Sequence, residues 1–208
     1  ENTIPRLVQG AAQRFGNGID IEEGDQKLDF QALADAGLDA ARAFIRAGLQ
    51  PGDRVGVWAP NIHEWVVAAI GLQSAGGVLV TLNTRMKGPE AAYILRKSGA
   101  RWLCTMGDFL DVNYAAQLKG ESLPDLEETI ALRGEAEGAR PWSDFLEAGQ
   151  SIETDEAQRR LEAISPEDLS DLIFTSGTTG QPKGVMTAHG QNIRGFEVWS
   201  DVVGLREG

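Results

Sequence analysis

The sequence predicts an α/β fold with a mainly parallel sheet flanked by helices, and three observations carry that expectation. Short apolar runs RVGVWA (Arg54 to Ala59), VLVTL (Val78 to Leu82) and WLCT (Trp102 to Thr105) read as strands. Helical segments separate them, from Pro60-Asn61 to about Ala75 and from about Pro89 to Lys97, closed by Gly76-Gly77 and Gly99. With 208 residues, 42% of them hydrophobic, the chain is long enough to bury a core without staples. Strand and helix alternating at short intervals is the signature of right-handed βαβ crossovers.

The flanking elements follow in order. Ile4, Leu7, Val8, Ala11, Ala12 and Phe15 recur at helical spacing, with Thr3 a candidate N-cap and Pro5 in the first turn. DIEEGDQKLDF (Asp20 to Phe30) reads as a hairpin turning near Gly24-Asp25. Asp29 then caps a long helix bearing Phe30, Leu33, Leu38, Ala41, Phe44 and Ile45, which Gly48 ends. Between Gly107 and Ala163 the pattern weakens. A strand near Thr129 to Leu132 and helices near Trp142 to Leu146 and Glu153 to Ala163 are expected there. Ser165-Pro166 punctuates the chain before the strand LIFT (Leu172 to Thr175). The expected division is an N-terminal α/β lobe over 1–165 and the start of a second lobe over 166–208.

Bulk properties exclude several functions. Thirty-one acids against 19 bases give a formal net charge of -12, which disfavours nucleic acid and anionic membrane surfaces. The longest apolar run, Trp65 to Leu72, is too short for a transmembrane segment. The first residues, ENTIPRLVQGAAQRFG, lack the basic start and apolar stretch of a secretory signal. The single cysteine, Cys104, cannot form an internal disulfide, and its strand setting suits a buried apolar role. A cytoplasmic location is the expectation.

Chemistry concentrates after Phe174, in Thr175-Ser176-Gly177-Thr178-Thr179-Gly180-Gln181-Pro182-Lys183-Gly184. Gly177, Gly180 and Gly184 let backbone approach a ligand closely. The hydroxyls of Thr175, Ser176, Thr178 and Thr179, with the exposed N–H groups of a loop, suit phosphate oxygens. Lys183 adds a mobile positive charge in an acidic chain. A polar surface loop would use the same residue types, so the order of residues matters more than their kind. The segment is not a Walker A loop, because Pro182 precedes the lysine and Gly184 follows it. His189 is a candidate general base by its near-neutral ordinary pKa, although a capping or packing role suits it better. His63 is given no chemistry, and Glu22-Glu23 reads as a solvated face beside a turn.

This ten-residue pattern resembles the signature of the adenylate-forming (AMP-binding) superfamily of acyl-CoA synthetases, luciferases and peptide-synthetase adenylation domains. APNIHEW (Ala59 to Trp65), AAIGLQSAGG (Ala68 to Gly77) and VLVTLNTR (Val78 to Arg85) resemble its upstream blocks. Asn83, where peptide-synthetase domains more often carry aspartate, points to the acyl-CoA synthetase (fatty-acid-CoA ligase) branch. Thr81 departs from the usual proline, at a strand end. The resemblance implies the N-terminal portion of the family's large domain. It implies ATP-dependent activation of a carboxylic acid to an acyl-adenylate, followed by thioester formation with CoA. By the same resemblance Thr175, Ser176, Gly177, Thr178, Thr179, Gly180 and Lys183 hold the ATP phosphates, Lys183 acting on the pyrophosphate leaving group. Mg²⁺ accompanies ATP, with Thr178 the protein oxygen nearest it. Adenine, ribose and acyl-pocket residues are expected beyond Gly208, so the 208-residue chain is expected to be inactive alone and to associate through exposed truncated surface, as a homo-oligomer or otherwise. A luciferase-like or peptide-synthetase adenylation domain, or a short non-catalytic nucleotide-binding protein, are the alternatives.

Overall fold

A computed structural model of the chain describes residues 2–109, 112–175 and 181–205. The elements run α1 (Ile4–Phe15), β1 (Ile19–Glu23), β2 (Gln26–Asp29), α2 (Phe30–Arg46), β3 (Arg54–Trp58), α3 (His63–Ser74), β4 (Val78–Thr81), α4 (Gly88–Ser98) and β5 (Trp102–Thr105). There follow β6 (Asp108–Phe109), β7 (Val112–Asn113), a single 3-10 turn, β8 (Glu128–Ala131), β9 (Arg140–Pro141), α5 (Trp142–Gly149), α6 (Thr154–Ala163), β10 (Leu169–Thr175), β11 (Lys183–Ala188) and α7 (His189–Val203).

One seven-stranded sheet, ordered β11-β10-β4-β3-β5-β8-β9, organises the molecule. Its strands are parallel except β11, which returns antiparallel beside β10. The fold class is therefore the expected one. Three expectations shift. The helix read from Pro60 begins at His63, because the Ile62 N–H turns back to the Pro60 carbonyl and Ile62 takes the N-cap. The strand read over 172–175 starts at Leu169, and the short strands β6, β7 and β9 carried too few residues for a periodicity to show.

Strand β3 lies between β4 and β5, so the two crossovers leaving it and β4 run in opposite directions. Right-handed connections then place α3 and α4 on opposite faces. Every residue of β5 is buried, as are Val67 to Ser74 of α3, which explains why these segments read as unbroken apolar runs. Helices α2 and α3 meet closely at Gly71, where a Cβ would stand 2.4 Å from that of Ala40. The caps match the sequence: Asp29 accepts from the Ala32 N–H at 2.7 Å, and Gly99 closes α4 at φ +63°.

The crevice where an open parallel sheet of this kind usually receives a ligand lies at the strand carboxyl ends between β3 and β5. Here the chain fills it. Trp58 and Tyr114 pack there with tilted rings, centroids 4.9 Å apart, and are buried. The Trp58 indole donates to the Asn83 carbonyl at 3.0 Å, and Thr105 Oγ1 donates to the Trp58 carbonyl at 2.9 Å. Along the same edge, beyond β4, Thr175 at the end of β10 is exposed.

Candidate phosphate-binding site

Strands β10 and β11 form a hairpin whose register pairs Thr175 with Lys183. The glycine- and hydroxyl-rich segment is therefore strung between two directly opposed residues at the carboxyl edge of the sheet. Both are exposed, and Lys183 forms no ion pair with any described residue. Ser176, Gly177, Thr178, Thr179 and Gly180 lie outside the described residues, so of the sequence-derived site only Thr175 and Lys183 are located.

The stem of this hairpin is held firmly. Phe174 pairs across the strands with Gly184, and its ring covers the glycine so closely that a Cβ there would meet it at 3.2 Å. Further down, Gln73 Nε2 of α3 donates to the Ser170 carbonyl at 3.1 Å, in a buried setting. Ser170 Oγ donates to the Thr187 carbonyl at 3.1 Å, and Asn192 Nδ2 of α7 reaches Ser170 Oγ at 3.0 Å and also the Asp171 carboxylate. Burial raises the pKa of Asp171 above the usual carboxylate range, against the opposing hydrogen bonds from Ser170 and Asn192. These contacts join α3, β10, β11 and α7 through side chains far apart in sequence.

His189 sits at the opposite end of β10. Six residues separate it from the loop along the strand, roughly 20 Å at strand rise. It is 1% exposed, and its Nδ1 accepts from the Ile4 N–H at 3.3 Å. Desolvation lowers its pKa to about 4, only partly offset by Asp168. A neutral packed imidazole remote from the loop is a structural anchor, not a base acting there. Beside it a cleft of about 570 Å³ is lined by Arg54, Arg160, Ile164, Leu169 and Leu172. This cleft opens on the amino-end edge of the sheet, where β3, β4 and β10 begin, so it is not part of the phosphate site.

Glu23, read as solvated, is instead held in a cluster. Arg133 contacts Glu23 Oε1 at 2.8 Å and Glu64 Oε1 at 2.9 Å, and His63 Nδ1 lies 2.9 Å from Glu23 Oε2. Hydrogen bonds, first from Arg133 and then from His63, lower the Glu23 pKa to about 2. Glu23, His63 and Glu64 have the spacing of metal ligands, but the Arg133 guanidinium already pairs with both carboxylates. The cluster ties the β1–β2 hairpin to α3 and to the end of β8. Burial pushes the Cys104 thiol well above its ordinary pKa, consistent with the packing role expected for it.

Residues 8–206 match the family of AMP-binding enzymes over nearly the whole chain. The chain belongs to that family. It is 40% identical over 205 residues to a (methyl-dioxo-octahydro-indenyl)propanoyl:CoA ligase of Rhodococcus jostii, covering 96% of this chain and 40% of that protein. A ligase of the same description from Mycobacterium tuberculosis is 36% identical over 198 residues, with 95% and 39% covered. Among solved structures, the anthranilate CoA ligase AuaEII bound to anthranoyl-AMP superposes with a TM-score of 0.79 at 25% identity, covering 95% of this chain and 37% of that one. The chain thus spans about 40% of the length of these curated relatives. No helix among the described residues is long and apolar enough to cross a membrane.

Proposed function

We propose that this AMP-binding chain is the N-terminal, phosphate-binding part of an AMP-forming acyl-CoA ligase. The observation that carries the proposal is the β10–β11 stem, which sets Thr175 opposite Lys183 at the two ends of the hydroxyl- and glycine-rich loop. In the reaction, a substrate carboxylate oxygen attacks the α-phosphorus of ATP, the bond to the β-phosphate oxygen breaks, and pyrophosphate leaves. The CoA thiol, losing its proton, then displaces AMP to give the thioester. Charge gathers on pyrophosphate in the first transition state, where a nearby cation lowers the barrier most. Lys183 supplies it, and residues 175–180 supply hydroxyl and backbone donors to the phosphates. Thr178 is the protein oxygen proposed nearest an ATP-borne Mg²⁺, an ion that keeps most of its waters.

The names of the two bacterial relatives favour a carboxylic acid with a large apolar body as the substrate, and a bicyclic propanoate is the first to try. The exposed apolar surface of 166–205 supports a second lobe beginning there. That lobe shares its sheet with 1–165, so the boundary near Ser165 marks where surface is left uncovered rather than where hydrogen bonding stops. Cytoplasmic location and self-association of the 208-residue chain belong to the same proposal.

Calorimetric titration of the chain with Mg-pyrophosphate and Mg-ATP tests it. Lys183→Ala is expected to weaken binding about 10- to 100-fold, the worth of one charge-assisted contact. Affinity unchanged by the substitution removes the site assignment. Acid-dependent pyrophosphate release is expected only when the remaining length of the relatives is restored by fusion.

A further inference from the structure

We infer that Tyr93 of α4 is a positioning residue for Lys183, acting through the carbonyl of Pro182. The Tyr93 hydroxyl donates to the Pro182 carbonyl oxygen at 3.3 Å, a contact between residues 89 apart in sequence. Pro182 has no N–H, so its carbonyl is the one backbone group by which this limb of the loop can be held at that residue. The same carbonyl belongs to the planar peptide unit that carries the Lys183 N–H. Fixing the oxygen therefore fixes the direction of that N–H and the point from which the lysine side chain departs. On the other side of Lys183, the Phe174 ring covers Gly184 and limits movement there. Lys183 is thus held at both neighbours, by the tyrosine hydroxyl before it and the phenylalanine ring after it.

The tether is anchored at its far end. Tyr93 packs against the main core, and its helix neighbours Ala91, Ala92, Ile94 and Leu95 are buried. Helix α4 is closed at both ends, with Glu90 accepting from the Lys87 N–H at 2.8 Å and Gly99 in the left-handed conformation. A rigid helix on one face of the sheet therefore reaches across to the exit of a loop on β10–β11. A long flexible cation gains affinity for pyrophosphate when its starting point is already ordered, because less entropy is lost on binding.

The inference rests on the proposed function, and one experiment separates the two. Tyr93→Phe removes a single oxygen and leaves the ring packed. In the 208-residue chain it is expected to speed amide hydrogen exchange at Gln181 and 183–185 about two- to tenfold, with exchange in α4 and β5 unchanged. Mg-pyrophosphate affinity should fall by a similar factor, the worth of one neutral hydrogen bond. The melting temperature should drop by no more than about 3 °C. Unchanged exchange at 181–185, faster exchange spread through α4 and the core, or unaltered pyrophosphate affinity would each overturn the role of Tyr93. Lys183→Ala runs alongside. If it weakens pyrophosphate binding while Tyr93→Phe does not, only Tyr93 loses its assignment. If the unaltered chain fails to bind pyrophosphate, or binds it regardless of Lys183→Ala, the proposed function falls and takes the inference with it.

Discussion

The body of the molecule, from α2 to β8, and the hairpin-plus-helix unit over 166–205 are built from similar apolar sequence and treat it in opposite ways. In the body, Phe44, Trp58, Trp102, Leu72 and Ile94 are fully buried. In the second unit, Met186, Phe196, Trp199 and Val202 are 64%, 66%, 54% and 79% exposed. All the large exposed apolar side chains described, other than Leu7 and Ile19, fall between Leu169 and Leu205. Backbone hydrogen bonding does not distinguish the two regions, since β10 is paired on both sides. The difference lies in cover: α2, α3 and α4 have partners on their apolar faces, whereas α7 buries His189, Gly190 and Ile193 and little else. Apolar sequence therefore declares what a segment would bury, and only its neighbours decide whether it does.

The largest effect separating the regions should come from their aromatics. Phe44→Ala opens a cavity beside Phe145, whose ring centroid lies 5.0 Å from that of Phe44, and should cost about 3–5 kcal/mol in urea denaturation. A cost below about 1 kcal/mol would mean that the body is far less tightly packed than its burial indicates.

Acid should loosen the second unit first. His189 anchors α7 to the start of α1 and is neutral in the fold, its pKa lowered to about 4 from an ordinary 6.5. Between those values the unfolded chain binds a proton that the folded chain does not. Stability from this group is thus full above about pH 6.5 and lost as pH falls towards 4, by up to about 3 kcal/mol. Asp171 works in the opposite sense, since its raised pKa makes protonation easier in the fold than out of it. Urea midpoints at pH 7 and pH 5 should differ less in His189→Gln than in the unaltered chain, and hydrogen exchange in α7 should rise at pH 5 before exchange in β5. Equal pH sensitivity of the two proteins would remove His189 as the cause.

Much of the body was legible because its signals are local. The apolar strands Arg54–Trp58, Val78–Thr81 and Trp102–Thr105, the Asp29 cap and the Gly99 stop each depend on residues a few positions apart. The candidate loop drew notice for the same reason, by the order of its residues from Thr175 to Gly184. The contacts around its stem were not legible. Tyr93, Gln73 and Asn192 reach the hairpin from three helices, and no spacing in the chain announces that they converge. Arg133 likewise turns Glu23 from an apparent surface acid into the centre of a cluster across 110 positions. The plugging of the sheet's crevice by Trp58 and Tyr114 was equally invisible, because it depends on which strands become neighbours.

The smallest effect on stability, and the most telling one for the comparison, should come from the uncovered face of α7. Phe196, Trp199 and Val203 recur at helical spacing and stand exposed together. Replacing Phe196 and Trp199 with Gln changes side chains that are more than half exposed, so the unfolding free energy should move by less than about 0.5 kcal/mol. Association should nevertheless change. Contiguous apolar surface of this kind drives self-association, and sedimentation of the unaltered chain at tens of micromolar should show oligomers that the double substitution largely dissolves. Fusion of the remaining relative-derived length should dissolve them as well, by covering the same face. If the double variant were as destabilised as Phe44→Ala, α7 would already have an intramolecular partner, and the contrast between the two regions would disappear. If it were stable and still associated, the sticky surface would lie elsewhere, with Val185 and Met186 of β11 the next side chains to change.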